Sequence, residues 1–189
     1  MLKERLRKLY KEKRKELSIS EIEDLSIKIA NNTLKLPIWE LTYFHLFLSI
    51  EEQKEIQTEY LLHILHAKDK EVIIPKANFN DYSMTNFLLT DNTKIKKNKY
   101  NIPEPIDGIE IPINKLDVVF IPLLVFDHQG NRVGYGKGFY DNMLAKCNKD
   151  CVKIGLSFFE AENKITDCYE GDISLDYCIT PKNIYTFNT

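Results

Sequence analysis

A glycine-rich segment between residues 130 and 138 holds the residue types best suited to chemistry in this 189-residue chain. It contains four of the chain's 7 glycines and the two cations Arg132 and Lys137, and Asp141 follows a few residues later. Glycines let backbone N–H groups approach a ligand closely, and the start of a helix adds a positive dipole end. Two cations, free amides and one carboxylate would suit a nucleotide triphosphate with a magnesium ion.

The elements around this segment are predicted to be a strand before it and a helix after it. The run 116–126 is nearly all apolar, which is typical of a central strand covered on both faces. Further short apolar runs predict strands over residues 43–49, 70–75, 84–89, 152–158 and 177–180. Helical periodicity predicts helices over residues 3–17, 55–67 and 139–147.

Two local patterns refine the N-terminal helices. The first helix carries an apolar stripe of Leu2, Leu6, Leu9 and Leu17. A capping-box pattern from Ser20 to Glu23 predicts the start of a second helix, which ends near Pro37. Residues 3–15 contain many lysines and arginines. These side chains either form a solvated helix face or serve in part to bind a ligand.

Alternating strands and helices predict an α/β fold, namely a single three-layer α/β/α domain over residues 1–189 with a largely parallel sheet. Ligands of such sheets bind beyond the carboxyl ends of the strands. The glycine-rich loop follows the strongest predicted strand, so it is placed at the C-terminal end of a central strand. Residues 91–115 are polar and contain several prolines, which indicates a long ordered loop or a hairpin excursion.

Composition excludes several classes of protein. The net charge is −2, so no overall basic excess favours nucleic-acid binding. The 4 cysteines form no Cys-x-x-Cys pair and the 4 histidines are scattered, so zinc-ligand spacing is absent from the sequence. No apolar run reaches membrane-spanning length and the N-terminus lacks a hydrophobic signal core. These features predict a cytoplasmic protein without nucleic-acid or membrane partners. We also expect a monomer, although composition does not determine this.

The glycine-rich segment is neither of the two best-known phosphate loops. Gly138 stands where a Walker A loop needs Ser or Thr, and the glycines alternate, unlike those of a Rossmann Gly-x-Gly-x-x-Gly. A tight turn that needs glycines only for packing is the simpler alternative. Packing alone leaves the adjacent Arg132, Lys137 and Asp141 unexplained.

Residues 126–141 closely resemble the signature of 5-formyltetrahydrofolate cyclo-ligases, also called methenyltetrahydrofolate synthetases. That signature reads Phe-Asp, a short turn, and then Gly-x-Arg-Leu-Gly-x-Gly-x-Gly-Tyr-Tyr-Asp. Val133 and Phe139 depart from it, both conservatively. Other segments are similar to the family in the same order, so the resemblance covers essentially the whole chain: 3–7, 48–49, 55–58, 74–76, 100–105 and 171–180.

The resemblance implies an ATP-dependent cyclisation of 5-formyltetrahydrofolate to 5,10-methenyltetrahydrofolate with release of ADP and phosphate. It implies a phosphorylated formyl intermediate, an iminium phosphate, because the formyl oxygen is a poor leaving group. The partners would be small molecules, with ATP as co-substrate and Mg²⁺ as cofactor.

The resemblance also assigns residues. Arg132 and Lys137 are the expected catalytic pair, since they would hold phosphates and neutralise charge. The expected ATP contacts are Lys3, Arg7, Arg132, Val133, Gly134, Tyr135, Gly136, Lys137, Gly138, Phe139 and Tyr140. The expected folate contacts are Leu48, Glu55, Tyr100, Tyr135, Gly136, Lys137, Gly138 and Phe139. Asp141 and Asp172 are the expected magnesium ligands, with Asp176 as the alternative to Asp172.

Two other functions stay open at this point. An isomerase or CoA transferase on a similar α/β scaffold would need a different carboxylate chemistry and would leave the Arg-Lys-Asp loop without a role. A nucleotide-binding module without catalysis would use the loop but would release no phosphate in response to 5-formyltetrahydrofolate.

Overall fold

Strands and helices alternate along most of the chain, and the structure, a computed structural model, describes residues 1–187. Its α-helices are α1 (Lys3–Glu16), α2 (Ile19–Thr33), α3 (Glu59–Ala67) and α4 (Phe139–Leu144). Its strands are β1 (Tyr43–His45), β2 (Glu71–Asn78), β3 (Ser83–Leu88), β4 (Ile95–Lys97), β5 (Pro103–Pro105), β6 (Val118–Pro122), β7 (Val125–Phe126), β8 (Arg132–Val133), β9 (Val152–Leu156), β10 (Tyr177–Ile179) and β11 (Ile184–Thr186). Short 3-10 helices cover Glu51–Gln53 and Ile113–Lys115.

A 7-stranded sheet organises the fold, in the order β11-β10-β9-β6-β1-β2-β3 within the described range. The strands from β10 to β2 run parallel to their neighbours, whereas β11 and β3 pair antiparallel at the two edges. The sequence-based prediction of an α/β fold with a largely parallel sheet is confirmed. The predicted single domain over residues 1–189 stays a prediction, and residues 188–189 lie outside the described range.

Both faces of the sheet are covered, which explains why its central strand is apolar throughout. Phe120 of β6 packs in the cluster that includes Ile29 of α2 and Leu61 of α3. The neighbouring Ile121 faces the opposite cluster, which includes Met143 of α4. Successive side chains of a strand point to opposite faces, so β6 needs apolar residues at every position.

The apolar run 116–126 is two strands rather than the single strand predicted. β6 ends at Pro122, which has no N–H to offer to the sheet, and Leu124 instead donates to the carbonyl of Val133 at 2.8 Å. β7 and β8 form a separate antiparallel hairpin. The glycine-rich loop therefore follows β8, and a Cβ on Gly134 would lie 3.9 Å from the Pro122 carbonyl oxygen at the end of β6.

Two predicted helix starts were displaced. The capping box of α2 joins Ser18 and Glu21, because the chain is already extended at Ser18 and turns there, not at the later Ser20. α3 begins at Glu59 rather than at 55. The preceding residues are held in a turn, in which the Ser49 hydroxyl accepts the N–H of Thr58 at 3.0 Å.

The buried face of α1 differs from the predicted leucine stripe. Leu6, Tyr10 and Arg14 are buried, one helical turn apart, whereas Leu2 is 58% and Leu9 38% exposed. Leu6 and Tyr10 pack on the β7–β8 hairpin rather than on the main sheet. A face with spacing i, i+4, i+8 brings Arg14 inside, where its Nη1 and Nη2 find acceptors while its Nε has none within residues 1–187.

The remaining differences concern short elements. β1 spans Tyr43–His45 rather than 43–49, and the edge strand β11 was not predicted. Residues 91–115 contain the antiparallel β4–β5 hairpin, in agreement with the hairpin alternative. In all these cases tertiary pairing, which the local pattern does not encode, sets the strand boundary.

A buried turn joins β7 to β8 and sets where the glycine-rich loop begins. The Asp127 side chain is 0% exposed and accepts the N–H groups of Gln129 and Asn131, each at 3.0 Å, through Oδ1. Its Oδ2 accepts the N–H of Ile165 at 2.9 Å. One carboxylate therefore fixes the turn and ties it to a distant part of the chain.

Replacing this carboxylate should destabilise the fold. Asp127→Ala is expected to lower the free energy of unfolding by about 2–4 kcal/mol, because one buried and two partly buried N–H groups of the backbone lose a charged acceptor. Urea denaturation measures it. Asp81→Ala is the matched control, since Asp81 forms a similar turn with Ser83 on the surface; equal losses in the two variants would contradict the account.

A second prediction concerns the packing of β9 against the end of β6. A Cβ on Gly155 would lie 2.6 Å from Leu123 Cδ2, 2.7 Å from Leu175 Cδ1 and 3.1 Å from Cys178 Sγ. Gly155→Ala should therefore cost about 1–3 kcal/mol of unfolding free energy by overpacking, measured by thermal or urea denaturation. Gly171→Ala is the control, since nothing lies within 4 Å there. An unchanged midpoint for Gly155→Ala would show that the core accommodates the methyl group.

Candidate active site

A cavity of about 770 Å³ opens at the carboxyl end of β6. Its walls come from the glycine-rich loop, the first half of α1, the ends of β1 and β2, and the segment between β4 and β5. All of the residues predicted to bind ligands line it: Lys3, Arg7, Leu48, Glu55, Tyr100, residues 132–141 and Asp172. The structure thus brings together residues that are far apart in sequence, and the ligand of each stays a prediction.

The two cations of the loop differ in mobility. Arg132 is nearly buried, and its guanidinium donates to Asp141 Oδ1 at 2.7 Å and to the carbonyl of Ile173. Lys137 is exposed, and its ammonium has no hydrogen-bond or ion-pair partner within residues 1–187. Arg132 is therefore held in place, whereas Lys137 is able to reach toward a ligand in the cavity.

α1 supplies two further cations to the same wall. Lys3 pairs with Asp172, and Arg7 Nε donates to the Gly134 carbonyl at 2.9 Å. The Arg7 guanidinium lies directly against Gly136, where a Cβ would come within 3.0 Å of Arg7 Cζ. Gly136 also has φ +87°, a backbone conformation that favours glycine.

Two carboxylates, Asp141 and Asp172, line the cavity next to the cations. Asp141 Oδ1 is occupied by Arg132 and by the N–H of Ile173 at 3.1 Å, while Asp172 Oδ2 accepts Lys3 and the N–H of Tyr169 at 2.6 Å. The other oxygen of each has no hydrogen bond in the described part of the chain. Mg²⁺ commonly takes one or two carboxylates and completes its shell with phosphates and water, so these residues fit it.

Other metal arrangements find no support in residues 1–187. There, His, Cys, Asp and Glu form no group of three or more that could hold an ion. Asp176, the alternative ligand, lies at the amino end of β10 and accepts the N–H of Lys153 at 2.7 Å, away from the cavity. Of the two candidates only Asp172 lies in the cavity.

The inner end of the cavity contains a buried acid. Glu55 is 5% exposed; its Oε1 accepts the hydroxyl of Tyr135 at 2.6 Å and its Oε2 accepts the N–H of Ile50 at 2.8 Å. Burial raises the pKa of Glu55, although these two donors and the nearby Arg14 oppose the shift. Burial together with Glu55 raises the pKa of Tyr135, so this tyrosine is a neutral donor.

Aromatic rings form the outer wall. Phe79 lies 4.4 Å from Tyr100 and 5.1 Å from Phe139, and Tyr82 lies 5.6 Å from Phe139, all between ring centroids. Tyr100 and Phe139 were predicted from the sequence, whereas Phe79 and Tyr82 were not. Two aromatic residues in the polar turn between β2 and β3 were the available signal, because such a turn has no core of its own to fill.

Arg14 is the other residue that the sequence analysis missed. It touches the hydroxyl of Tyr135 from behind the cavity wall, at 2.8 Å. Its spacing of seven residues from Arg7, on the helix face that also carries Lys3, would have indicated that all three point the same way.

The cavity has two ends that differ in chemistry. One end offers four cations, two carboxylates and loop amides to an anionic group with a metal ion. The other offers a buried carboxylate and aromatic rings to a flat molecule with N–H donors. Within residues 1–187, no helix is both long enough and apolar enough to cross a membrane.

Comparisons with known proteins agree on one family. The 5-formyltetrahydrofolate cyclo-ligase of Mus musculus is 32% identical over 153 residues, which cover 77% of this chain and 71% of the relative. That of Escherichia coli K12 is 27% identical over 186 residues, covering 94% and 99%. That of Haemophilus influenzae is 35% identical over 108 residues, so the alignment spans 55% of this chain and 58% of the relative.

Solved structures are similar as well. The 5,10-methenyltetrahydrofolate synthetase of Aquifex aeolicus has a TM-score of 0.84 and 28% identity, covering 100% of this chain and 94% of that one. A synthetase from Mycoplasma pneumoniae shares the fold, with a TM-score of 0.76 at 24% identity and coverage of 96% and 99%. The family model for 5-formyltetrahydrofolate cyclo-ligases matches residues 1–181, and the chain therefore belongs to that family of enzymes.

Proposed function

We propose that this protein uses ATP and Mg²⁺ to convert 5-formyltetrahydrofolate into 5,10-methenyltetrahydrofolate, ADP and phosphate. The observation that carries the proposal is the two-ended cavity, in which a cationic glycine-rich wall and a buried acid with aromatic rings face one space. Family membership and the names of the relatives support the folate reaction. The need for ATP is inferred from the cationic wall.

The formyl oxygen is a poor leaving group, so it must be activated before N10 can displace it. In the first step this oxygen attacks the γ-phosphorus of ATP, the bond from that phosphorus to the ADP oxygen breaks, and an iminium phosphate forms. Transfer of this kind depends on alignment and on neutralising the phosphoryl charge. The cavity supplies both from its own residues.

The phosphate end is assigned to the loop and α1. Arg132 is fixed by Asp141 and would orient one phosphoryl group, while the free Lys137 would follow the charge as it moves to the formyl oxygen. Arg7, held against Gly136, would bind at the same end. Asp141 and Asp172 would hold Mg²⁺, which would reduce the repulsion among the phosphate oxygens.

The folate end is assigned to Glu55 and the aromatic wall. Glu55 would accept N–H groups of the pterin ring, and Tyr100 and Phe139 would cover its flat faces. In the second step N10 of the substrate attacks the activated carbon, the carbon–oxygen bond breaks, and phosphate leaves. N10 then carries the new bond, and its proton passes to solvent.

The other two functions explain less of the cavity. A nucleotide-binding module would leave the buried Glu55 and the aromatic wall without a ligand. An isomerase or CoA transferase would leave Arg132, Lys137 and Asp141 without a role. No observation within residues 1–187 favours either alternative over the cyclo-ligase.

The direct test is formation of the methenyl chromophore. Purified protein with ATP, Mg²⁺ and 5-formyltetrahydrofolate should produce its absorbance together with one equivalent of phosphate, and excess chelator should abolish both because the phosphates lose their counter-ion. Omitting ATP is the control. Folded protein that gives no absorbance change would refute the proposed reaction, and turnover that persists in chelator would refute the magnesium assignment.

A second test removes the mobile cation. Lys137→Ala should lower kcat by about 10²-fold or more, as expected for a group that stabilises charge mainly in the transition state. Lys146→Ala is the matched control, because Lys146 is an exposed lysine just after α4 that does not line the cavity. A wild-type rate for Lys137→Ala in steady-state assays would remove Lys137 from the catalytic group.

A further inference from the structure

We propose that Arg14 is a positioning residue for the folate end of the cavity. Through its hydrogen bond to Tyr135, Arg14 keeps Glu55 in a state in which both carboxylate oxygens accept hydrogen bonds from the substrate. The inference rests on the proposed function and extends it to a side chain that does not line the cavity. Arg14 is 5% exposed, and its guanidinium reaches two acceptors. Nη1 donates to the Tyr135 hydroxyl at 2.8 Å and Nη2 to the Leu123 carbonyl at 2.7 Å.

The direction of this hydrogen-bond chain follows from the chemistry of its members. A guanidinium only donates, so the Tyr135 oxygen must accept from Arg14. The single hydroxyl hydrogen of Tyr135 is then directed at Glu55 Oε1, 2.6 Å away. The first bond cannot be reversed, because a guanidinium has no acceptor. Reversing the second would require a proton on Glu55 and would leave the hydroxyl hydrogen of Tyr135 without this acceptor. By occupying one lone pair of the Tyr135 oxygen, Arg14 favours the arrangement in which Tyr135 donates to Glu55, and it holds the tyrosine hydroxyl in place for that bond.

The second carboxylate oxygen is fixed in the same sense. Glu55 Oε2 accepts the N–H of Ile50 at 2.8 Å, so both oxygens accept from the protein. A proton on either oxygen would compete with one of these donors, which opposes the tendency of burial to protonate the acid. An ionised carboxylate offers about four lone-pair positions, of which two are used here. The remaining two can accept a ring edge that presents two N–H groups, as the amino-pyrimidinone edge of the pterin does.

Arg14 also connects this acid to the rest of the cavity. Its second contact, the carbonyl of Leu123, lies just past the end of β6, and Tyr135 belongs to the glycine-rich loop. The same helix holds Arg7 against that loop. One buried guanidinium thus sets the position of Glu55 relative to the loop that is assigned to the phosphates, which an enzyme needs if the formyl oxygen is to meet the γ-phosphate.

A purely structural role for Arg14 makes a different prediction. If Arg14 only stabilised the fold, its loss would affect both substrates alike or only the stability. If it acts through Tyr135 and Glu55, the loss is specific for folate. The effect of replacing Arg14 should also disappear when Tyr135 lacks its hydroxyl, because the hydrogen bonds from Arg14 through Tyr135 to Glu55 are then already lost.

The experiment compares Arg14→Met, Arg14→Lys, Tyr135→Phe and the Arg14→Met/Tyr135→Phe double variant. Calorimetry gives the Kd of 5-formyltetrahydrofolate without ATP, and steady-state kinetics give KM for each substrate. Arg14→Met should raise the Kd and the KM for folate about tenfold, the size of effect expected for one charged hydrogen bond, and should change the KM for ATP much less. Arg14→Lys should restore part of the affinity, and the double variant should resemble Tyr135→Phe alone.

Arg5→Met is the matched control, since Arg5 is exposed on the same helix and does not line the cavity; its constants should stay at wild-type values. Three results would each overturn the inference. They are wild-type folate affinity in folded Arg14→Met, an equal loss of affinity for folate and ATP, and losses of folate affinity that add when Arg14→Met is combined with Tyr135→Phe. If Arg14→Met does not fold, Tyr135→Phe with unchanged folate Kd overturns it. Wild-type protein that binds no 5-formyltetrahydrofolate would overturn the proposed function and this inference with it.

Discussion

The docking of α1 on the β7–β8 hairpin is the contact on which the cavity depends. Leu6 and Tyr10 are buried there, and burying side chains of this size contributes about 1.5–3 kcal/mol each. The two apolar anchors hold the helix at a fixed rotation. As a result one helix places three cations at their partners. Lys3 reaches Asp172, Arg7 reaches Gly134 and Arg14 reaches Tyr135.

Opposite charges form pairs around the cavity. The pairs Arg132–Asp141 and Lys3–Asp172 place two of the four cations next to carboxylates, which reduces repulsion among the cations. In the proposed reaction the same carboxylates would also hold Mg²⁺, and Arg132 would contact phosphate while Asp141 keeps it in place. Arg7 and Lys137 carry the remaining positive charge of this end, which an anionic ligand would neutralise.

The sequence was informative where one short segment contains the chemistry and weak where distant segments meet. Glycines, cations and Asp141 within residues 130–141 identified the loop and the family. The run 116–126 was misinterpreted because Pro122 and the Asp127 turn, rather than hydrophobicity, divide it. Arg14 was missed because its burial depends on acceptors at Leu123 and Tyr135 that local periodicity does not reveal.

The Lys3–Asp172 pair has a consequence for how the protein matures. Its partners are 169 residues apart, so the two ends of the described chain meet at the ligand cavity. Contacts of such long range form late, since the chain must first close a large loop. During synthesis the cavity is incomplete until the segment around Asp172 has emerged and folded. Any ligand of the complete cavity therefore selectively stabilises finished molecules over partly folded ones.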